Sequence, residues 1–315
     1  MTFQTDNSPA APKPARRRRK MPSLLSSLLE SWSATAAAVL LLLLFLAALL
    51  APLISPTNPM DLTGLRLLDS LLPPVWQDGG DARYLLGTDN QGRDLLSAML
   101  YGLRISLSIG FISVGVAATI GILLGLISGF VGGVLDAFIM RVAEVQMSFP
   151  TIMIALLLDG VMRSALPEAF GETRGYLVVI VSMTLVYWVQ YARAVRASVV
   201  VERNKEYVMA AQLIGRSSLQ IMLRHILINV TRPVLVIATV NLAVAIITES
   251  TLSFLGVGIP ATQPTLGSLI RIGNNYLFSG EWWIVLFPGL TLALLSISVN
   301  LVGDWLRDTL NPRLK

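Results

Sequence analysis

The stretch Glu206–Asn229, which reads EYVMAAQLIGRSSLQIMLRHILIN, is a polar and basic island between two long apolar runs. Polar loops of a membrane protein lie outside the hydrocarbon layer, so the island must be a loop at one face of a membrane. Within it, the small pair Ala210-Ala211 precedes Gly215, and apolar residues return at Ile226. The island therefore predicts membrane-spanning segments on both of its sides.

The composition also indicates a membrane protein. Of the 315 residues, 54% are hydrophobic and 14% are charged, whereas soluble domains carry about 25% charged residues. The chain has no cysteine and a single histidine, His225, which excludes a thiolate metal site and argues against a histidine-based metal site or catalytic triad. We therefore assign no catalytic residue, metal ligand or cofactor to this chain. The uneven charge indicates orientation in a membrane rather than a nucleic-acid partner.

Six apolar segments are long enough to cross a hydrocarbon layer of about 30 Å. They do not alternate in polarity and are longer than barrel strands, so all six are predicted to be helices. The first follows a basic head, as a signal peptide does, but its 21 uncharged residues and the spans that follow favour an uncleaved helix. The predicted spans are Ala34–Ile54, Ile105–Phe130, Ala137–Leu158, Tyr176–Val195, Pro233–Leu255 and Trp282–Leu301.

The Lys and Arg residues indicate how these spans are oriented. Alternate segments, beginning with the N-terminal one, hold 17 of the 24 basic residues, and basic loops face the cytoplasm. Both termini and the loop 196–232 are therefore predicted to be cytoplasmic. The expected organisation is a disordered basic tail at 1–33, a first helix at 34–54, an extracytoplasmic segment at 55–104, a five-helix core at 105–305 and a C-terminal tail at 306–315.

Two features of the spans have local explanations. Gly121, Gly125 and Gly129 form a smooth stripe on one helix face, and such stripes let a neighbouring helix pack closely. The alternative is an inter-subunit or moving contact. Arg141 and Glu144 are predicted to form an i, i+3 ion pair near the end of the third span.

Few residues of the spans suggest chemistry. No phosphate-binding loop of the G-x-x-x-x-G-K-[ST] type is present, so the chain is not expected to bind or hydrolyse ATP by itself. Glu249 is the strongest candidate for an ionisable residue deep in a span, where such residues mark functional sites. It is either a hydrogen-bonded carboxylate near the outer third of the fifth span or, with Ser253, part of a translocation path. An ion-coupled secondary transporter is therefore an alternative, whereas a membrane enzyme is disfavoured.

The island itself predicts two short helices. Residues 202–214 form the first, and Gly215 ends it in a left-handed conformation. Ser217 or Ser218 caps the second, which leads into the fifth span.

One face of the first helix has two interpretations. Its small residues would let the helix seat closely in the groove of a partner protein, and a tyrosine would add a large contact. The alternative is an amphipathic helix at the lipid interface with basic residues on headgroups, and composition alone leaves both open. The shared face holds Tyr207, Ala210, Ala211 and Ile214, and the basic residues are Arg203, Lys205 and Arg216.

The island is similar to the EAA loop of ABC-importer permeases, and three further stretches resemble the dipeptide/oligopeptide/nickel branch of that superfamily. They are LGTDNQGRD at Leu86–Asp94 with YGLRISL at Tyr101–Leu107, TLSFLGVG at Thr251–Gly258, and GDWLRDTLNPRL at Gly303–Leu314. The resemblance covers residue 34 to the end, and two of the stretches are typical of the C-type subunit of a permease pair. It implies the fold of a type I importer permease core.

The resemblance implies a transport function without an ATPase of its own. Such a permease forms a heterodimer with a related permease and assembles with two ATPase subunits, which bind ATP and Mg, and with an extracytoplasmic solute-binding protein. Transport by alternating access would take place in the bacterial inner membrane, coupled through the loop. The predicted ATPase-coupling residues are Glu206, Tyr207, Met209, Ala210, Ala211, Gln212, Gly215 and Arg216.

Two positions depart from the loop pattern. Met209 stands where a glutamate is expected, and Ile228 where a proline is expected. If the glutamate normally contacts the ATPase, that contact is absent here or is supplied by Glu206 or Gln212. The substrate stays open among dipeptides, oligopeptides, nickel chelates and other small solutes. The run Leu67–Arg83 resembles an insertion without an assigned role.

Overall fold

The computed structural model describes residues 24–61, 63, 66–165, 170–260 and 262–310. These residues form helices joined by turns, with one isolated antiparallel bridge between Thr88 and Asp94, so the predicted all-α class is confirmed. The helices are α1 (Leu24–Leu29), α2 (Trp32–Leu49), α3 (Ala51–Ile54), α4 (Leu95–Val131), α5 (Gly133–Met147), α6 (Thr151–Ala165), α7 (Gly171–Glu202), α8 (Glu206–Leu213), α9 (Ser218–Ile221), α10 (Leu227–Phe254), α11 (Leu266–Tyr276) and α12 (Trp283–Leu310).

Five of the described helices are long and apolar enough to cross a membrane, and a sixth crossing is counted if α5 and α6 together form one bent span. The five lie in α2, α4, α7, α10 and α12. The prediction of a multi-pass membrane protein with six apolar segments is therefore confirmed, although one of the six differs from the expectation.

The third predicted span, Ala137–Leu158, is wrong as a continuous helix. α5 and α6 meet at an angle of 90°, and Ser148, Phe149 and Pro150 lie between them. Proline fixes its own φ, lacks a backbone donor and disfavours a helical conformation at the residue before it. The carbonyl of Pro150 instead accepts a hydrogen bond from the backbone N–H of Ile154 at 3.2 Å, which starts α6.

Helix ends differ from the predicted boundaries at several places. α7 and α10 begin before the predicted Tyr176 and Pro233, and α7 ends after Val195. α4 begins at Leu95, before the expected Ile105, because the Asp94 carboxylate caps it by accepting hydrogen bonds from the backbone N–H and hydroxyl of Ser97 at 2.9 and 2.6 Å. α12 continues into the predicted tail 306–315. α1 and the start of α2 occupy the end of the predicted tail 1–33. Residues 1–23 and 311–315 of the two tails lie outside the described residues.

The most extensive helix contact is between α4 and α7. A Cβ atom at Gly121 would lie 2.5 Å from the carbonyl oxygen of Trp188, and one at Gly125 would lie 2.5 Å from that of Ala192. The glycine stripe therefore brings the two backbones into contact within this chain, as the packing interpretation predicts. Because these contacts advance in the same direction along both helices, α4 and α7 run parallel.

Polar contacts hold α5 against the ends of α4 and α7. Asp136, in the first turn of α5, accepts hydrogen bonds from Nε and Nη2 of Arg196 at 2.5 and 2.6 Å. Arg203 donates to the carbonyl of Gly129 at 2.9 Å and so satisfies an acceptor of the last turn of α4.

The predicted ion pair of Arg141 and Glu144 forms at 3.1 Å on the exposed surface of α5. This prediction is confirmed.

The two described chain ends lie at the same end of the bundle as the polar island. Gly303 of α12 packs against Thr239 in the first half of α10, and the hydroxyls of Ser27 in α1 and Thr309 in α12 are 3.3 Å apart. We call this the loop end, because residues 203–226 join α7 to α10 there. The opposite end carries residues 66–94, which we call the cap segment.

Buried polar contacts fix the cap segment. Nε of Arg93 lies 2.6 Å from Oδ2 of Asp89, and neither side chain has exposed surface. Oδ1 of Asp89 accepts the backbone N–H groups of Gln91 and Arg93 at 2.8 and 3.0 Å. The indole N–H of Trp283, at the start of α12, donates to the Thr88 carbonyl at 3.2 Å. The LGTDNQGRD motif thus binds the cap segment to the end of the bundle.

The insertion-like run Leu67–Arg83 belongs to the cap segment and is folded. The Tyr84 hydroxyl donates to Asp69 at 2.9 Å, and Arg83 donates hydrogen bonds to Asp81, the shortest at 2.7 Å. The hydrogen bonds from Arg83 lower the pKa of Asp81 to about 2. The run therefore carries ordered surface contacts, although nothing in them assigns it a role.

Candidate functional site

The loop 203–226 contains the residues predicted to couple to an ATPase. The predicted single helix 202–214 is wrong at its start, because Glu202 is the last residue of α7 and α8 begins only at Glu206. The Asn204 side chain donates to the Val200 carbonyl at 3.0 Å and satisfies an acceptor of the last turn of α7. α7 and α8 are thus separate helices that meet at a short turn.

The end of α8 agrees with the sequence. Gly215 has a φ of +80°, the left-handed conformation predicted for it. The backbone N–H of Arg216 donates to the Ala211 carbonyl at 3.1 Å, which closes the last turn. Ser217 then caps α9 by accepting the backbone N–H of Gln220 at 3.4 Å.

The two faces of α8 have opposite surroundings. Val208 and Ala211 are buried in the main hydrophobic core, and Tyr207 is half-buried against it. The predicted shared face is therefore divided, because Ala211 and Tyr207 turn toward this chain while Ala210 and Ile214 turn away from it. The other predicted coupling residues are exposed, namely Glu206, Met209, Gln212, Gly215 and Arg216.

An exposed apolar surface lies on the outward side of α8 and continues onto the following turns. Leu213 is 89% exposed and Ile214 is 79% exposed. Large exposed apolar groups outside a membrane span mark contact sites for other proteins or lipid. We call this set the α8 apolar face, and it consists of Met209, Leu213, Ile214, Leu219 and Leu223. Sequence reasoning missed Leu213, Leu219 and Leu223, although apolar residues in a polar island were a visible signal.

A small polar network joins α8 to its neighbours. The Tyr207 hydroxyl donates to Oε2 of Glu202 at 2.6 Å and accepts from Nδ2 of Asn229 at 3.1 Å. Lys205 donates to Oε1 of the same Glu202 at 2.5 Å. Burial, together with the hydrogen bond to the Glu202 carboxylate, raises the pKa of Tyr207, so its hydroxyl stays protonated and remains a donor at neutral pH.

The chain enters α10 through an irregular turn. Met222–Ile226 form a single π-helical turn between α9 and α10. Such turns interrupt the regular hydrogen-bond pattern of a helix and often occur at functional sites. The backbone route from α8 to α10 therefore contains two irregular points, the left-handed Gly215 and this turn.

Glu249 lies near the other end of α10 and has no exposed surface. Its carboxylate accepts hydrogen bonds from the hydroxyls of Ser253 at 2.7 Å and Ser250 at 3.4 Å, and the side chains of Ser106 and Thr265 lie beside it. This arrangement agrees with the interpretation of Glu249 as a hydrogen-bonded carboxylate in the fifth span. In this conformation Glu249 and Ser253 are enclosed between α4, α10 and the start of α11, so their predicted place on a path stays a prediction.

A groove of about 650 Å³ lies in the elbow between α5 and α6. Its walls are mostly apolar, with Arg141 and Gln146 as polar members. Within the described residues, no group of three or more His, Asp or Glu side chains is placed to hold a metal ion. The elbow is thus a large unfilled apolar surface of the chain, separate from the loop.

Comparison with known proteins connects these features to a family. Residues 121–315 match the family model described as binding-protein-dependent transport system inner membrane component. The chain belongs to this family. The permease is therefore a multi-pass component of the bacterial inner membrane, and the predicted localisation is confirmed.

Individual relatives support the same assignment. The permease is 38% identical over 269 residues to the di/tripeptide transport system permease protein DppC of Pseudomonas aeruginosa (strain UCBPP-PA14), covering 85% of this chain and 84% of the relative. It is 37% identical over 268 residues to the dipeptide transport system permease protein DppC of Haemophilus influenzae, covering 85% and 86%. The resemblance to the dipeptide branch of ABC-importer permeases is thereby confirmed.

A solved structure shows the same fold. A chain of the MetNI methionine ABC transporter, in an inward-facing conformation, superposes with a TM-score of 0.53 at 19% identity. The superposition covers 67% of this chain and 96% of that chain. The predicted importer permease core is therefore confirmed as a fold.

Proposed function

We propose that this permease is the membrane subunit of an ATP-driven importer of dipeptides or oligopeptides. The support for this substrate class is that relatives covering most of the chain are named as dipeptide and di/tripeptide permeases. The permease has no phosphate-binding loop, so ATP and Mg are bound and ATP is hydrolysed on partner subunits.

The assembly contains four further subunits. A related permease pairs with this chain as a heterodimer, two ATPases bind in the cytoplasm, and a solute-binding protein delivers the peptide from outside. The distribution of Lys and Arg supports a cytoplasmic loop end and a cap segment outside the cell membrane. The elbow between α5 and α6 is mostly apolar, and within a bilayer either lipid or the sister permease would cover it.

The α8 apolar face is the observation that supports α8 as the helix that contacts the ATPases. It extends from the loop end, where the ATPases would lie, and it is exposed although its residues are apolar. Its helix is held by Val208 and Ala211 in the main core, so a push on α8 is transmitted into the bundle. ATP-driven closure of the ATPases thus moves α8 and switches the bundle between inward-open and outward-open states.

Replacing Leu213 by aspartate tests this assignment. A charge at the centre of an apolar contact costs at least about 2 kcal/mol of binding, so we expect the affinity for the ATPases to fall roughly thirtyfold or more and much less ATPase to copurify with the tagged permease. Leu68→Asp is the matched control, because Leu68 is 98% exposed in the cap segment and lies away from the proposed contact. Equal amounts of ATPase with both variants would show that α8 is not the docking helix.

The two alanines of the loop now require separate experiments. Ala210→Lys changes the exposed side of α8 and tests docking, whereas Ala211→Lys inserts a charge into the core and tests folding. Substrate class is tested with radiolabelled alanyl-alanine in membrane vesicles that contain the whole transporter and its binding protein. Uptake that proceeds without ATP and is abolished by Glu249→Gln would favour the ion-coupled alternative.

A further inference from the structure

We propose that Tyr207 is a positioning residue whose hydroxyl ties α8 to the adjoining ends of α7 and α10, so that a movement of α8 reaches both helices together. The inference rests on the proposed function, since it assumes that an ATPase moves α8. It gives Tyr207 a role inside this chain in place of the predicted contact with the ATPase.

The hydrogen bonds of Tyr207 join three segments at one atom. Glu202, which accepts from the hydroxyl at 2.6 Å, is the last residue of α7. Asn229, which donates to the same hydroxyl at 3.1 Å, is in the first turn of α10 and lies 22 residues further along the chain. A carboxylate acceptor makes the first of these bonds a strong one. One side chain therefore connects the helices that enter and leave the loop.

Both partners of Tyr207 are held in position by further contacts. Lys205 donates to the other oxygen of Glu202 at 2.5 Å, so the carboxylate is oriented by two donors. Nδ2 of Asn229 also donates to the carbonyl of His225 at 3.0 Å, within the π-helical turn. The rings of Tyr207 and His225 are 6.5 Å apart. The tie is therefore a network with fixed geometry, which a surface tyrosine with a free hydroxyl would not form.

The backbone route between the same helices is compliant. It passes through Gly215, whose φ is +80° and where an added Cβ atom would meet nothing within 4 Å, and through the π-helical turn Met222–Ile226. Either point can absorb a displacement of α8 by rotation of a few dihedrals. The burial of Val208 and Ala211 holds α8 against the core, but apolar contacts do not fix the direction in which the helix can move. The hydrogen bonds of Tyr207 are directional, and they connect α8 to α10 without passing through Gly215 or the π-helical turn.

Tyr207→Phe in the assembled transporter tests the tie, because it removes the hydroxyl and keeps the ring. The chain has no cysteine, so Leu255→Cys, at the far end of α10, provides a single reporter for maleimide labelling. We expect ATP with vanadate to change the labelling rate in the otherwise unaltered permease. In Tyr207→Phe that change should fall about tenfold or more, because the hydroxyl's bond to the Glu202 carboxylate and the bond it accepts from Asn229 are both lost, while the ATPases copurify in unchanged amount.

Two further variants give the result its specificity. Asn229→Leu changes an exposed residue, removes the second bond of the network and should add little to Tyr207→Phe in the double variant, because both break one tie. Tyr101→Phe is the matched control for loss of a tyrosine hydroxyl outside the loop and should respond to ATP like the parent. Additive effects of Tyr207→Phe and Asn229→Leu would contradict a shared tie.

The outcomes separate this inference from the proposed function. A normal ATP response in Tyr207→Phe overturns the tie and leaves the docking role of α8 intact. Loss of the ATPases in Tyr207→Phe also overturns it, because the hydroxyl would then be a docking contact. A parent reporter that does not respond to ATP contradicts the proposed ATP-driven movement, and ATPase binding that survives Leu213→Asp contradicts docking on α8.

Discussion

The cap segment and the loop 203–226 lie at opposite ends of the same bundle and are built in different ways. In the cap segment, the ion pair of Asp89 and Arg93 is fully buried, and Gly87 brings its backbone against that of Leu72. In the loop, Leu213 and Ile214 project outward from the chain. The LGTDNQGRD motif of the cap segment is thus held by contacts within its own chain, whereas the outer side of α8 displays one half of a contact. Other parts of the cap segment, such as Leu68, are exposed.

This difference indicates that separate regions of the permease determine its stability and its assembly with partners. A buried polar motif stabilises only the chain that contains it, so changes in the LGTDNQGRD motif should act on folding. An exposed apolar helix stabilises nothing until a partner covers it, so changes on its outer side should act on assembly. The LGTDNQGRD stretch and the EAA-like loop, which both supported the family resemblance, therefore have different physical roles.

The largest expected effect is at Asp89. Asp89→Asn leaves the buried Arg93 without its carboxylate, and breaking a buried ion pair costs about 3–5 kcal/mol of unfolding free energy. Denaturant titration of the detergent-solubilised permease, followed by tryptophan fluorescence, measures this loss. Asp81→Asn is the matched control, because its pair with Arg83 lies at the surface and should leave the unfolding midpoint unchanged. Similar midpoints for both variants would mean that the buried pair does not stabilise the cap segment.

A pair of glycines with the same backbone conformation gives the next test. Gly87 and Gly215 have φ values of +82° and +80°, so alanine costs each about 1–2 kcal/mol in backbone strain. A Cβ atom at Gly87 would also lie 2.5 Å from the Leu72 carbonyl oxygen. A Cβ atom at Gly215 would have no neighbouring atom within 4 Å. We expect Gly87→Ala to lose roughly 1–3 kcal/mol more unfolding free energy than Gly215→Ala. Equal losses in the same titration would show that the cap segment yields as easily as the loop.

The smallest expected effect is at Met209, where the loop departs from its relatives. Met209 is 48% exposed on α8, so Met209→Glu should change the unfolding free energy by less than about 0.5 kcal/mol. We also expect ATPase copurification and alanyl-alanine uptake to be retained, since glutamate is the residue that the loop pattern expects. A complete loss of uptake with normal stability would show that this loop seats differently from the loops of its relatives.

Much of the fold could be predicted because its signals are local. Uncharged runs predicted the spans, and the spacing of Arg141 and Glu144 predicted their ion pair. The 90° elbow had a local signal in Pro150, but a proline can kink a span or divide it. α6 also packs against α7, and the sequence pattern does not show on which side of the elbow α6 will pack.

The candidate site was less predictable because it depends on contacts across the chain. Ala210 and Ala211 are identical neighbours, yet one faces the surface and the other the core, since the direction of α8 is set by its seat in the bundle. From the sequence, Tyr207 could be predicted to contact a partner protein, because it is a large side chain on the loop. That Asn229 lies at its hydroxyl is visible only in the folded chain. The hydroxyls around Glu249 come from α10 and from neighbouring segments, so a single span could predict a hydrogen-bonded carboxylate but not its partners.

The length of α4 has a mechanical consequence. Its 37 residues extend about 55 Å at 1.5 Å per residue, well beyond a hydrocarbon layer of about 30 Å. Because the glycine stripe packs its second half tightly against α7, the pair would move as one stiff unit, and α4 is long enough to protrude from the bilayer. A tilt of about 5° around its middle shifts each tip by roughly 2.4 Å in opposite directions. The permease can thereby convert a small displacement at one membrane face into an opposite displacement at the other without unfolding a single turn.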